Sequence, residues 1–196
     1  MQVRKTSEER KKEALKAALK IIYEKGFSKL TIRGIAERLD ISEAALYRHF
    51  DDKQDIIDQL TDLVFYQECK MEERDNENAL TTLSEFIDKQ AEKFEDNPFL
   101  SIISFQFEMF SAYPEIKAKF IDHQAKREQE IIDILNKGIK KGLIKEDINP
   151  AAFAQIFMGS IRVTVLKWKN SDFNYSLKDR LTDIKKELFK YIECDN

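Results

Sequence analysis

Residues 31–53, TIRGIAERLDISEAALYRHFDDK, combine small side chains with hydrogen-bond donors. Ala44 and Ala45 are too small to bury much surface. After Leu46 come three large side chains with polar tips, Tyr47, Arg48 and His49. Small residues let a helix approach base edges closely, and polar tips beside them can donate to phosphate oxygens. The chemistry that these residue types favour is therefore non-covalent recognition of phosphates and bases.

The elements that position these side chains are predicted to be short helices. Residues 8–25 carry a stripe of apolar side chains with helical spacing, and Thr6 or Ser7 can cap its start. Gly26 follows the last turn, where a left-handed backbone is common.

Two more helices follow, separated by about three residues. Thr31 starts the second helix, and Ser42 can cap a third over residues 43–50. Asp40 lies at the turn position that often requires a left-handed residue, which Asp tolerates better than most. Helices this short must pack on one another to be stable. The arrangement predicts a helix-turn-helix.

The charge balance differs between the two ends of the chain. The net charge is −3, yet residues 1–50 hold 12 Lys and Arg against 7 Asp and Glu, and the remainder holds 21 against 29. A basic end suggests a surface that meets phosphates. A solvated helix face that happens to be rich in Lys is the alternative, and charge alone does not separate the two.

The stretch GFSKLTIRGIAERLDISEAALYRHFDDKQDII resembles the N-terminal domain of the TetR family of bacterial and archaeal repressors. The match covers about residues 8–60. Its positions agree together in spacing: Gly26, Phe27, Thr31, Ile35, Ala36, Ile41, Ser42, Leu46, Tyr47, Phe50 and Lys53. The later stretch KGLIKEDINPAAFAQIFMGSIRVTVLKW resembles the family's C-terminal half more weakly. Two departures are Asp40, where the family usually has Gly, and Glu43, which would repel phosphate but can accept from a cytosine amino group.

The resemblance implies a fold and a mode of action. Abundant Glu, Lys, Ala, Leu and Ile already favour an all-α protein. We expect about nine helices, with a helix-turn-helix DNA-binding domain over residues 1–52 and a helical effector-binding and dimerisation domain over 53–196. The resemblance further implies a homodimer that binds a palindromic double-stranded DNA operator and leaves it when a small apolar or amphipathic effector binds.

Individual roles follow from the same resemblance. It implies phosphate contacts by Thr31, Tyr47, His49 and Lys53. It makes Ser42, Glu43, Ala44 and Arg48 candidates for contact with base edges or the nearby backbone. Arg33 is a further candidate for either kind of contact.

Apolar segments in the second half are candidates for the effector site. Five phenylalanines fall within residues 99–120. The predicted pocket residues are Phe99, Ile103, Phe107, Phe110, Phe120, Phe157 and Trp168. For each of them, plain core packing is the alternative.

The last predicted helix carries a heptad seam, which indicates a possible dimer interface. Its members are Leu177, Leu181, Ile184 and Leu188. Ordinary packing within one chain explains the pattern equally well. The neighbouring helix contains Gly159 and Ser160, which allow a close partner, so a four-helix dimer interface is predicted.

Other features argue against catalysis. The sequence has no Gly-rich phosphate loop, no HExxH and no serine elbow, so no enzyme activity and no cofactor are expected. Cys69, Cys194 and His123 show no metal-ligand spacing, and no metal is expected. The start lacks the apolar core of a signal peptide, and no apolar run approaches the ~20 residues of a membrane span, so a cytoplasmic protein is expected. A ligand-independent DNA-organising or division-control protein on the same fold is the alternative function.

Overall fold

A computed structural model describes residues 6–65, 78–105 and 110–194 of the chain. Within these ranges the regular elements are helical, apart from an isolated bridge between Ile144 and Glu193. The described residues form nine α-helices and the short 3-10 helix η1: α1 (Ser7–Lys25), η1 (Phe27–Lys29), α2 (Ile32–Leu39), α3 (Glu43–Leu46), α4 (Lys53–Phe65), α5 (Ala79–Asp96), α6 (Leu100–Phe105), α7 (Pro114–Lys140), α8 (Pro150–Asn170) and α9 (Leu177–Ile192). The predicted all-α fold is confirmed.

The chain forms two compact units. The first comprises Met1–Gln67 with Ile102–Phe120, and the second comprises Glu68–Ser101 with Ile121–Asn196. The first unit therefore includes α4 and a later segment of the chain. The functional boundary after residue 52 stays a prediction.

In the first unit, α1 packs against α2, η1 and α4, and α2 packs against α3. The predicted N-cap of α1 is confirmed at Thr6. The Thr6 hydroxyl accepts from the Glu9 backbone N–H at 3.2 Å, and the Glu9 carboxylate accepts from the Thr6 N–H at 2.7 Å. Such reciprocal capping typically stabilises a helix start by about 1 kcal/mol. Two of the backbone N–H groups at the start of α1, those of Thr6 and Glu9, are thus paired.

The turns between the short helices depend on unusual backbone angles. Gly26 has φ 86° and ψ 160°, so its φ is positive as predicted, but its ψ is extended rather than left-handed helical. That region is essentially reserved for glycine. Asp40 has φ 53° and ψ 49°, which confirms the predicted left-handed turn residue between α2 and α3.

The third helix is shorter than the predicted span 43–50. It ends at Leu46, and the chain continues through turns in which the Phe50 N–H donates to the Leu46 carbonyl at 3.0 Å. Leu46 and Phe50 are both buried, and they hold the two ends of this segment against the unit's core. The backbone of residues 47–49 therefore follows the direction of α3 without forming regular helix.

An aromatic cluster completes the first unit. The ring of Phe27 meets Phe110 at 5.7 Å and Tyr113 at 6.1 Å, both edge to face, and Phe110 lies 6.5 Å from Phe120. Lys119 Nζ also lies 2.5 Å from Asp58 Oδ1, which links the start of α7 to α4. Residues 110–120 are therefore packed against the same unit that holds the helix-turn-helix.

The second unit is built around α9, which packs against α5 and α8. Polar contacts fix the α5–α9 pair. Lys185 Nζ contacts both carboxylate oxygens of Asp88, at 2.7 and 2.8 Å, and Lys178 Nζ lies 2.9 Å from Glu92. The hydrogen bond with Glu92 raises the pKa of Lys178, and the negative charge of Glu92 adds to this effect. These pairs set the register of α9 along α5.

Side chains cap the starts of α8 and α9 in the second unit. The Asn149 side chain accepts from the Ala152 N–H at 3.1 Å, with Pro150 as the first residue of α8. The Ser176 hydroxyl accepts from the Asp179 N–H at 3.1 Å at the start of α9. Both caps satisfy backbone donors that a helix leaves unpaired.

Candidate nucleic-acid interface

The segment from Ser42 to Phe50 has one buried and one exposed side. Leu46 and Phe50 are buried, whereas Tyr47 is 53% exposed. The other exposed side chains of the segment are Ser42, Glu43, Ala44 and Arg48. The structure thus brings the predicted base-edge candidates together on the solvent side of α3. The small side chain of Ala44 on this surface leaves room for a close approach to DNA.

Two exposed hydroxyl groups cap the helices of the turn motif. The Thr31 hydroxyl accepts from the Gly34 N–H at 2.9 Å, and the Ser42 hydroxyl accepts from the Ala45 N–H at 3.2 Å. A hydroxyl that accepts one hydrogen bond still carries a proton to donate. Thr31 therefore combines a donor with the partly positive first turn of α2, a combination that suits phosphate.

Lys53 is the first residue of α4, and its ammonium lies beside an aromatic face. Nζ lies 5.2 Å from the centre of the Phe27 ring. The negative face of the ring attracts the cation and limits the positions of a flexible side chain. Lys53 is half-buried, so its charge is presented from a defined place rather than from a freely moving stem.

His49 is half-buried, and two neighbours orient its ring. Nδ1 lies 3.2 Å from the Ser7 hydroxyl oxygen, and the ring meets Phe50 edge to face at 6.5 Å. Sequence reasoning considered Ser7 only as a helix cap. Its contact with His49 crosses 42 positions of the chain, and no local pattern signals it.

Arg33 is already engaged on its own helix. Its Nε donates to Glu37 at 2.8 Å, and both side chains are exposed. The hydrogen bond that Arg33 donates to Glu37 raises the pKa of Arg33, and the negative charges of Glu37 and Glu43 raise it further. Contact with a phosphate would have to compete with Glu37, so the predicted role of Arg33 is the least supported of the DNA contacts.

The predicted effector residues fall into separate aromatic groups. Phe110 and Phe120 belong to the cluster of the first unit, and Ile103 is buried in that unit. In the second unit, Phe157 lies 6.2 Å from Phe86, while Phe99 and Trp168 both contact Phe173. Phe107 lies outside the described residues, as does Cys69. That the predicted effector residues line one pocket stays a prediction.

The predicted dimer seam on α9 needs a correction. Leu177 and Leu181 are completely buried within the chain itself, because α9 packs against α5 and α8 on that side. Their spacing reflects packing within one chain, and they have no surface to offer a partner. Ile184 and Leu188 are half-buried and remain accessible at the edge of α9.

The exposed apolar surface lies mainly on α8, the helix of Gly159 and Ser160 that the sequence predicted to join α9 in the dimer interface. Ile156, Val163 and Leu166 are exposed, and their spacing of seven and three puts them on one helix face. Gly159 and Ser160 lie between them on the same face. A groove of about 570 Å³ adjoins this face, lined by Ser160, Val163, Thr164, Lys167, Tyr175, Arg180 and Ile184. The sequence did not single out Ile156, Val163 and Leu166, because α8 is apolar on most sides and its periodicity marks no one face.

Metal ligands and membrane-spanning helices are two further features to consider in residues 6–65, 78–105 and 110–194. No group of three or more His, Cys, Asp and Glu side chains is placed there to hold a metal ion. None of the helices in these ranges has the length and apolar character needed to cross a membrane.

A three-helix turn motif with exposed donors, followed by a helical second unit, defines a DNA-binding transcriptional regulator. Residues 14–60 match the family described as "Bacterial regulatory proteins, tetR family", and residues 57–190 match "YsiA-like protein, C-terminal region". The chain belongs to the TetR family, as its sequence motif predicted. This membership confirms the predicted helix-turn-helix DNA-binding class.

Similar proteins come from several bacteria. The chain is 28% identical over 165 residues to the "Fatty acid metabolism regulator protein" of Bacillus subtilis, covering 82% of this chain and 84% of the relative. It is 25% identical over 145 residues to the "HTH-type transcriptional repressor KstR2" of Mycobacterium tuberculosis, covering 71% and 72%. Among solved structures, FadR of Bacillus subtilis in complex with stearoyl-CoA superimposes with a TM-score of 0.73, at 23% identity, covering 90% of this chain and 96% of that one.

Proposed function

We propose that the protein is a dimeric repressor that binds a palindromic operator and leaves it when an amphipathic small molecule binds. The observation that carries this proposal is the exposed side of α3, which is anchored by buried Leu46 and Phe50 and bordered by Tyr47, His49 and Lys53. These side chains can donate hydrogen bonds to phosphates. The small side chains of α3 between them let the helix come close to base edges. The name of the Mycobacterium tuberculosis relative supports repression rather than activation.

The effector proposal rests on the relatives and on aromatic packing. The Bacillus subtilis structure contains stearoyl-CoA, a molecule with a long apolar chain and an anionic head. Within the second unit of this chain, Phe157 and Trp168 belong to groups of contacting aromatic rings. Such groups can accept an acyl chain after modest rearrangement of side chains. We therefore propose an acyl thioester or a similar amphipathic molecule as the effector.

Release of DNA by this effector would be a population shift. A ligand moves an equilibrium only by its difference in affinity between two conformations. The effector must therefore bind better to a form in which the two recognition helices no longer match the spacing of the operator half-sites.

The experiment begins with selection of bound fragments from bacterial genomic DNA by the purified protein. Fluorescence anisotropy then measures affinity for the recovered sequence with and without stearoyl-CoA, using free CoA and stearate as separate controls. We expect a palindromic sequence and weaker binding in the presence of stearoyl-CoA. Binding that is tight and unaffected by all three molecules would favour the alternative of a ligand-independent DNA-organising protein.

The proposed dimer interface is the α8 face defined by Ile156, Val163 and Leu166. Exposed apolar side chains on one helix face commonly mark an association surface. Gly159 and Ser160 allow two such helices to approach closely, and a two-fold axis would bring the same face of each chain together. Half-buried Ile184 and Leu188 at the edge of α9 can extend the contact.

A pair of matched variants tests this face. Val163 is 51% exposed and Ile121, on α7, is 53% exposed, so replacing either by Glu costs little stability within one chain. We expect Val163→Glu to be monomeric in analytical ultracentrifugation and to lose most operator affinity, while Ile121→Glu stays dimeric. A dimeric Val163→Glu protein would place the interface elsewhere.

A further inference from the structure

The start of α1 contacts the turn that follows α3. The Ser7 hydroxyl oxygen lies 3.2 Å from His49 Nδ1. Ser7 is the first residue of α1, and the Thr6–Glu9 capping box holds its backbone in place. The position of this hydroxyl is therefore set by a capped helix rather than by a loose chain end.

The direction of the Ser7–His49 hydrogen bond decides which ring nitrogen of His49 carries the proton, because a serine hydroxyl can either donate to Nδ1 or accept from Nδ1–H. A neutral imidazole has one donor and one acceptor nitrogen. A serine hydroxyl that donates to Nδ1 requires Nδ1 to be the acceptor, so Nε2 must carry the proton. The edge contact with the buried Phe50 ring, at 6.5 Å, restricts rotation of the imidazole. When the serine hydroxyl is the donor, these contacts present Nε2–H as a donor on the side of the ring away from Ser7.

The same arrangement works when the imidazole is protonated. The serine oxygen can then accept from Nδ1–H, and Nε2–H keeps its direction. The orientation of the donor is therefore independent of the charge on the ring.

We propose that Ser7 is a positioning residue that orients His49 to donate from Nε2 to a DNA phosphate. This inference rests on the proposed function, in which His49 contacts the operator backbone. Ser7 acts through His49 and need not touch DNA itself. A contact made across the motif in this way ties the start of α1 to the recognition segment.

The binding test compares four variants on the selected operator. Ser7→Ala should weaken binding about tenfold, since each dimer loses two orienting hydrogen bonds. Ser7→Thr keeps a hydroxyl at the same position and should restore most of the affinity. Ser28→Ala, which removes an exposed serine of η1, should bind like the wild type. His49→Ala should lose at least as much affinity as Ser7→Ala.

The double variant separates positioning from direct contact with DNA. If Ser7 acts through His49, adding Ser7→Ala to His49→Ala should cause no further loss. Two losses that simply add would overturn the inference, because Ser7 would then contribute on its own. Wild-type affinity in His49→Ala would overturn both the phosphate role of His49 and the inference.

A spectroscopic measurement reads the orientation without DNA. Long-range ¹H–¹⁵N correlation spectra at about pH 8, above the usual titration range of histidine, report which nitrogen carries the proton. We expect His49 to be protonated on Nε2 in the wild type and to lose this single form in Ser7→Ala. An unchanged spectrum would overturn the inference. If the wild type selects no DNA sequence, the proposed function fails, and this spectrum still decides whether Ser7 orients the ring.

Discussion

Replacing Lys53 by Gln tests the electrostatic part of DNA binding. The lysine begins α4, and its Nζ lies 5.2 Å above the Phe27 ring. The substitution removes one positive charge from each subunit but keeps a polar side chain of similar reach. If the ammonium contacts a phosphate, each bound dimer releases two fewer counterions from the operator.

The expected magnitude is best read as a change in salt dependence. Each phosphate contact contributes about 0.9 to the slope of log affinity against log salt concentration, so the slope should become shallower by about 1.8 for the dimer. Loss of the cation–aromatic contact should also lower stability by about 0.5–1 kcal/mol. For a chain of this size that corresponds to about 1–4 °C in Tm.

Fluorescence anisotropy on the selected operator at several salt concentrations measures the slope, and a thermal melt measures the stability. Lys20→Gln is the matched control, since Lys20 is an exposed residue of α1 and the change of charge is the same. We expect its slope to remain close to that of the wild type. If the salt slope of Lys53→Gln equals that of the wild type, the phosphate assignment of Lys53 is refuted. Any weaker binding would then come from the lower stability that the Tm reports.

Two further predictions concern stability. Phe110→Ala should lower the free energy of unfolding by about 3–5 kcal/mol, because this buried ring packs against other aromatic rings and the cavity left behind cannot close completely. Chemical denaturation measures the loss. A loss below about 1 kcal/mol would contradict the packing described for Phe110. Gly138→Ala should cost about 1–3 kcal/mol, because a Cβ there would lie 2.5 Å from Ile144 Cδ1 and 2.9 Å from the Ala79 Cβ. A thermal melt that shows Gly138→Ala to be as stable as the wild type would mean that these neighbours move apart easily.

Local signals in the sequence predicted the helix-turn-helix well. Thr6 and Ser42 cap helices because their hydroxyls reach backbone donors only three residues away. Asp40 adopts a left-handed backbone because the turn demands it and a short polar side chain tolerates it. Such features depend on a few neighbouring residues, so the sequence contains all the information that decides them.

Features that depend on distant parts of the chain were not predictable in the same way. The apolar repeat on α9 identified Leu177 and Leu181 as buried, but periodicity does not say whether the covering surface belongs to the same chain. The contact between Ser7 and His49 joins residues 42 positions apart in the chain, and no local pattern encodes it. Surfaces and orienting contacts therefore required the assembled unit.

The cluster of Phe27, Phe110 and Tyr113 has a thermodynamic consequence for both binding events. Phe27 contacts Lys53, for which we propose a phosphate contact, and it also contacts Phe110 and Tyr113. A ligand that binds differently to the free and DNA-bound forms, because the packing of Phe110 differs between them, changes the affinity for DNA. Linkage is reciprocal, so operator DNA must lower the affinity for that ligand by the same factor by which the ligand lowers the affinity for DNA. The operator itself would then act as an antagonist of the effector. The effector concentration needed for release would be higher at operators that bind the protein more tightly.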